Sequence, residues 1–222
     1  MGNGESSVLP PGPLTAAEAR ALAFEIRLRD GRRVLVRPVI PEDARRLQED
    51  LTRMSWQSRL FRFHRRLSRL SREQLHYLAA VDQRTHAAWG ALSLDEPGMP
   101  GVGVARYVVE QDDARTARAV ITVIDDYQRV GLGMALLEML RVTAHENGVT
   151  RLIGHVLPEN TAGRRLVAGA GGTETGRTAS GLLTTEICND DSRPVLSSNT
   201  YRRAGTAARG EGGVPPVDGD GR

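Results

Sequence analysis

Val120-Ile121-Thr122-Val123-Ile124-Asp125-Asp126-Tyr127-Gln128-Arg129-Val130-Gly131-Leu132-Gly133-Met134-Ala135-Leu136-Leu137 begins as an apolar, β-branched run, crosses a short polar turn with two glycines, and continues with apolar residues at helical spacing. It reads as strand, loop, helix. Gly131 and Gly133 carry no Cβ, so the backbone can turn tightly and a ligand can come close to it. The amides that open the following helix have no intrahelical partners and sit at the positive end of its dipole, which suits an anion and above all a phosphate. A nucleotide-triphosphate loop would end in Gly-Lys-Ser/Thr, and this chain has no lysine. A dinucleotide fingerprint would place a third glycine at position 136, which is Leu.

The 222 residues, 40% of them hydrophobic, are enough for one domain with its own core plus extensions. The net charge is only +3 and every basic residue other than histidine is an arginine, so the balance does not imply a general affinity for nucleic acid. Cys188 is the only cysteine, which rules out an intrachain disulfide and a cysteine-rich zinc site. We expect it as a small, half-buried apolar residue. No apolar run reaches membrane-spanning length and no basic-then-apolar leader opens the chain, so the expected location is the cytoplasm.

Outward from the glycine loop, residues 1–23 read as a disordered leader that ends in a short alanine-rich helix, Leu14 to Ala23. Two alternating runs, Phe24 to Arg29 and Arg33 to Arg37, flank Asp30-Gly31 and predict a hairpin. Pro41-Glu42-Asp43 starts a helix that runs to about Met54. One further helical region is expected from Ser58 to about Ala80. It carries Arg59, Arg62, Arg65, Arg66, Arg69 and Arg72 among Leu60, Phe61, Phe63, Leu67 and Leu70. Such a stretch can meet nucleic acid, an anionic membrane or an acidic partner; a solvated arginine face over an apolar core face is the favoured reading. Strands follow at His86 to Leu94, Val102 to Glu110 and Thr116 to Ile124. The helix after the loop is expected over Gly131 to Glu146, with Leu132, Leu136, Leu137, Leu140 and Val142 facing the core. A strand at Leu152 to Leu157, a helix capped by Asn160, and strands at 173–179 and 182–188 complete the pattern. From residue 189 to 222 the chain reads as a disordered tail.

Gln128-x-x-Gly131-x-Gly133 between this strand and this helix resembles the signature of the GNAT superfamily of acyl-CoA N-acyltransferases, over roughly residues 24–188. The resemblance implies an α/β (α+β) fold: a mixed, mostly antiparallel sheet flanked by helices. Its central strand and the next splay apart at a bulge. It also implies acetyl-CoA, or another short acyl-CoA, as co-substrate, with no metal. Ile121, Thr122 and Val123 would pair with the pantetheine, the loop Gln128, Arg129, Val130, Gly131, Leu132, Gly133 and Met134 would enclose the pyrophosphate, and Asn160 would contact the pantetheine, cap its helix, or do both. The front half looks more narrowly like GNAT domains of bacterial protein-lysine acetyltransferases. The residues that carry this are Leu28 to Arg33, Val36-Arg37-Pro38, Pro41-Glu42-Asp43, Arg62-Phe63 and Val81-Asp82. A protein lysine is therefore the implied acceptor, and neither a membrane nor nucleic acid is the expected partner.

Amide formation from a thioester needs a neutral amine held near the carbonyl and a path for its proton. The related enzymes usually place a glutamate on the central strand as base, where this chain has Arg118, and a tyrosine in the last helix as acid, where it has Val167. Arginine cannot accept a proton at neutral pH. His155, on the following strand where other family members place the glutamate, is the candidate catalytic residue; Glu159 is the weaker alternative, and Tyr127 is expected to pack. The expected activity is N-acetyl transfer. The alternative is a catalytically weak or inactive acyl-CoA-binding regulatory module.

Overall fold

The computed structural model describes residues 12–65 and 67–189, and the backbone of 202 and 203. In chain order the elements are α1 (Ala16–Ala21), β1 (Phe24–Arg27), β2 (Arg33–Pro38), a 3-10 turn (Pro41–Asp43), α2 (Ala44–Arg53), α3 (Trp56–Phe63) and α4 (Arg72–Ala79). Then come β3 (His86–Ser93), β4 (Gly101–Glu110), β5 (Asp113–Val123), α5 (Leu132–Glu146), β6 (Arg151–Val156), α6 (Thr161–Gly169), β7 (Thr173–Arg177), β8 (Leu183–Cys188) and β9 (Arg202–Arg203). The strands form one sheet in the order β7-β8-β6-β5-β4-β3-β2-β1-β9, and β5 with β6 is its only parallel pair among the described residues.

Local chemistry accounts for most boundaries. Thr15 and Glu18 form a reciprocal capping box at α1, and Ser71 with Gln74 does the same at α4. Ser55 caps α3 through the amide of Ser58. The helical region expected from Ser58 to Ala80 is instead two helices. His64 takes a left-handed conformation, φ 53°, which ends α3, and the capping box at Ser71 begins α4 afresh.

The core lies between the sheet and α5. Leu132, Leu136, Leu137 and Leu140 are wholly buried there with Tyr107, Ala105 and Ala117, each leucine contributing about 2 kcal/mol. Val142, expected on this face, is only half-buried; Thr143 takes the inward position and accepts a 2.9 Å hydrogen bond from Trp89 Nε1. α2, α3 and α4 cover the opposite face. The segment before residue 24 also belongs to the fold, because Leu14 and Ala19 are buried in the same core. Cys188 is exposed rather than half-buried, since the last residue of β8 turns outward. The expected disorder of residues 1–11 and most of the tail lies outside the described residues, whereas Arg202 and Arg203 pair with Glu25 and Phe24 at the sheet edge.

Candidate active site

The parallel pairing of β5 with β6 covers only Thr116↔Arg151, Ala117↔Leu152 and Arg118↔Ile153. Beyond it β5 runs on to Val123 and β6 to Val156, paired only with their other neighbours. A wedge opens between them, lined on one side by Ala119 to Val123. The register shifts fall elsewhere, at Ala91/Leu92, Val109/Glu110 and Glu174/Gly176, so the strands part without a bulge in their shared ladder.

The glycine loop stands at the wide end of this wedge. Gly131 has φ +98° and is the N-cap of α5, with no side chain capping the helix; Arg129, at φ +62°, gives the loop a second left-handed residue. The amides of Leu132, Gly133 and Met134 precede the first intrahelical bond, Ala135 N to Gly131 O at 3.1 Å, and so are free to donate outward. Leu132 itself is wholly buried, anchoring the loop from beneath.

Two neighbouring elements fix the loop. From the β1–β2 turn, Arg29 N donates to Val130 O at 3.0 Å, and Arg32 Nη2 donates to Asp126 O at 2.6 Å with its guanidinium 3.8 Å from the centre of the Tyr127 ring. The Arg29 side chain passes over Gly131, with Nε 3.7 Å from where a Cβ would stand. From α3, Ser55 and Ser58 hold Asp125 by hydrogen bonds of 2.7 to 2.9 Å; burial acts to raise this carboxyl, but those bonds keep it below its ordinary value. Gln128 Nε2 donates to Val123 O at 3.1 Å and to Ser58 Oγ at 3.2 Å. Its side chain therefore works inside the protein, joining strand, loop and helix. Tyr127 is buried, as expected, and its hydroxyl is 2.8 Å from both Ser93 and Glu96.

Across the wedge, Asn160 caps α6 by accepting from Gly163 N at 2.9 Å. His155 lies on β6 with its side chain on the sheet face shared by Arg118, Arg106 and Thr122, by the alternation of the paired strands. Desolvation, and then the charge of Arg118, holds His155 below the usual histidine range, while Glu110 pulls the other way. It is therefore a neutral imidazole at pH 7. Arg118 is bound to Glu110 at 2.7 Å. Sequence reasoning did not find His64, whose ring faces the backbone of His155; burial, His155 and Arg62 all lower it. It also missed Arg29, which the β1–β2 turn brings over the glycine loop, and Glu110, which the β4–β5 hairpin sets beside Arg118. Glu159 is exposed, and Val167 packs on the core. Among the described residues no cluster of three or more His, Cys, Asp or Glu side chains could hold a metal, and no helix is long and apolar enough to cross a membrane.

Comparison with known proteins gives a consistent picture. The chain is 33% identical to an acetyltransferase of Pseudomonas aeruginosa over 144 residues, covering 65% of this chain and 77% of that one. It is 32% identical over 179 residues to the acetyltransferase Pat of Mycolicibacterium smegmatis, covering 77% of this chain but about half, 51%, of that protein's length. Among solved structures, the GNAT domain of S. lividans PAT superposes with a TM-score of 0.70 at 26% identity, over 79% of this chain and 99% of that domain. No protein-family profile matches the chain.

Proposed function

Because the chain belongs to the GNAT family of acetyltransferases, we propose that it transfers an acetyl or other short acyl group from acyl-CoA to an amine, with a protein lysine as the acceptor. The observation that carries this reading is the parting of β5 from β6 after Arg118↔Ile153, directly beside a helix whose opening amides face outward.

In this mechanism the amides of Arg129 to Met134, with the Arg29 guanidinium above Gly131, bind the pyrophosphate. The open edge of β5 at Ile121 and Val123, with the backbone of Thr122 between them turned toward β4, pairs with the amides of the pantetheine, although Val123 O already accepts from Gln128 and has one lone pair left. Asn160 Oδ1 is occupied by its helix cap, so Nδ2 is the atom that meets the thioester arm. His155, neutral at pH 7, takes the proton from the amine directly or through a water as the carbon–nitrogen bond forms. The departing thiolate recovers a proton from solvent in the wedge, since Val167 has none to give. The lysine acceptor rests on the front-half resemblance, from the β1–β2 turn through Arg62-Phe63.

A second reading, an acyl-CoA-binding module with little turnover, is favoured by Arg118 and Val167. Calorimetric titration with acetyl-CoA and CoA, followed by thiol release in the presence of a lysine-rich protein mixture, separates the two. Binding with release above the uncatalysed rate is expected. Binding without release across several donors and acceptors leaves the module; no binding removes both.

A further inference from the structure

The helix-covered face of the sheet holds a half-open pocket of about 490 Å³ that acyl transfer as described leaves unused. α2, α3 and α4 form one wall, and β4 and β5 the other. Arg106 reaches into it from β4 and is only 4% exposed. Its Nη1 donates to Leu78 O at 3.0 Å and lies 3.2 Å from His86 Nε2, but its Nε has no partner among the described residues. Arg62 enters from α3, resting 4.8 Å from the centre of the Phe63 ring, with no hydrogen bond or ion pair among the described residues. Arg62 is half-buried, so the favoured expectation of a solvated helix face holds for it only in part. Thr122 Oγ1, on the β-strand wall, is also buried with no partner among the described residues.

Two guanidiniums thus share one enclosure without a carboxylate between them. Burial lowers Arg62 to about 10, and burial together with the charge of Arg62 lowers Arg106 to about 9. The carboxylate on the pocket wall, Asp50, faces Arg46, Arg53 and the Gly101 backbone instead, and burial raises it to about 6. Buried charge is retained at a cost unless something pairs it. The remaining lining is apolar, with Leu51, Met54 and Leu70 prominent, and includes no residue of the glycine loop. A short apolar stem ending in a carboxylate fits both features.

We propose that this pocket binds the carboxylate of a ligand, with Arg62 and Arg106 as its cations and Thr122 as a hydroxyl donor. Because Thr122 stands on the open stretch of β5, the carboxylate belongs either to a dicarboxylic acyl group on the donor or to the amine acceptor. That choice of source, and only that, rests on the acyltransferase reading.

The test begins without CoA. The melting temperature of the full chain is measured with succinate, with its uncharged counterpart succinamide, and with inorganic phosphate, in the wild type and in R62M and R106M. Succinate is expected to raise the wild-type value by about 2–4 °C, with no response to succinamide or phosphate and none in either variant. R106M loses the bond to Leu78 and risks misfolding; R62M, with no such bond, is expected to fold at least as stably as the wild type. Succinyl-CoA bound at least about tenfold tighter than acetyl-CoA, with the preference lost in R62M, identifies the donor as source. Equal binding of the two, with 4-aminobutyrate favoured at least about tenfold over butylamine in thiol release, identifies the acceptor. A phosphate response equal to that of succinate, or no succinate response and no preference in either arm, overturns the pocket. A retained succinate response with no binding of any CoA species overturns the acyltransferase reading and leaves the pocket standing.

Discussion

Arg118 Nη2 lies 2.7 Å from Glu110 Oε1, and this ion pair of β5 and β4 flanks His155 on β6 with opposite effects on its protonation. The positive charge on the central strand does not exclude a base from the site. It keeps the neighbouring imidazole neutral at lower pH than an isolated histidine.

The sign of this coupling can be read from a pH profile. Desolvation and Arg118 lower His155, so the acid limb of kcat/KM is expected below the ordinary histidine range. Arg118→Gln removes a positive neighbour and moves that limb to higher pH. Glu110→Gln removes an attraction for the imidazolium and moves it to lower pH. His155→Ala lowers kcat by about 10²–10⁴-fold with acetyl-CoA affinity unchanged. Limbs that ignore both charge changes return His155 to a packing role.

The glycine loop is tested by two substitutions read by calorimetry. Gly131→Glu puts a side chain at φ +98° and a negative charge beside the anion site, and is expected to abolish acetyl-CoA binding at a folding cost of about 1–3 kcal/mol. Arg29→Ala weakens binding about tenfold, and the loss shrinks in high salt. Wild-type affinity in the first variant sinks the pyrophosphate assignment.

Asn160 separates its two roles by chemistry. Alanine removes the bond to Gly163 N and costs about 1 kcal/mol of stability in denaturant unfolding. Aspartate restores the cap but not the Nδ2 donor, so it is expected to recover stability while acetyl-CoA binding stays weakened. Full recovery of both would leave Asn160 as a helix cap only.

The entry to α2 depends on a buried ion pair. Asp43, 7% exposed, accepts from Arg37 at 2.8 and 2.6 Å and from Ile40 N at 3.0 Å. Asp43→Asn leaves Arg37 without its opposite charge, with Pro38 O still accepting from it, and a loss of about 3 kcal/mol is expected by urea unfolding. A loss within the error of the wild type would mean that the pair is solvated.

Much of the fold is legible in the chain because its determinants are local. Asp30-Gly31 between alternating runs makes the β1–β2 hairpin, and β-branched residues followed by Gly131 and a leucine-rich period make β5, the loop and α5. Those same residues locate the open amides at the start of α5, since unpaired amides follow from where a helix begins. The single helical region assigned to 58–80 failed because periodicity cannot register one left-handed residue, His64, or a second capping box.

What only the tertiary structure decided is which distant groups share an environment. Helical periodicity does not distinguish Arg62 from Arg65 or Arg69, yet it alone among these three lines the pocket that holds Arg106. Arg29 sits above Gly131 because the β1–β2 turn docks on the glycine loop, and Glu110 beside Arg118 because β4 pairs with β5. Secondary structure is set by interactions a few residues apart. Desolvation and charge pairing depend on what the fold stacks on either side, so the chain's chemistry at His155 and in the arginine pocket becomes readable only once the sheet is assembled.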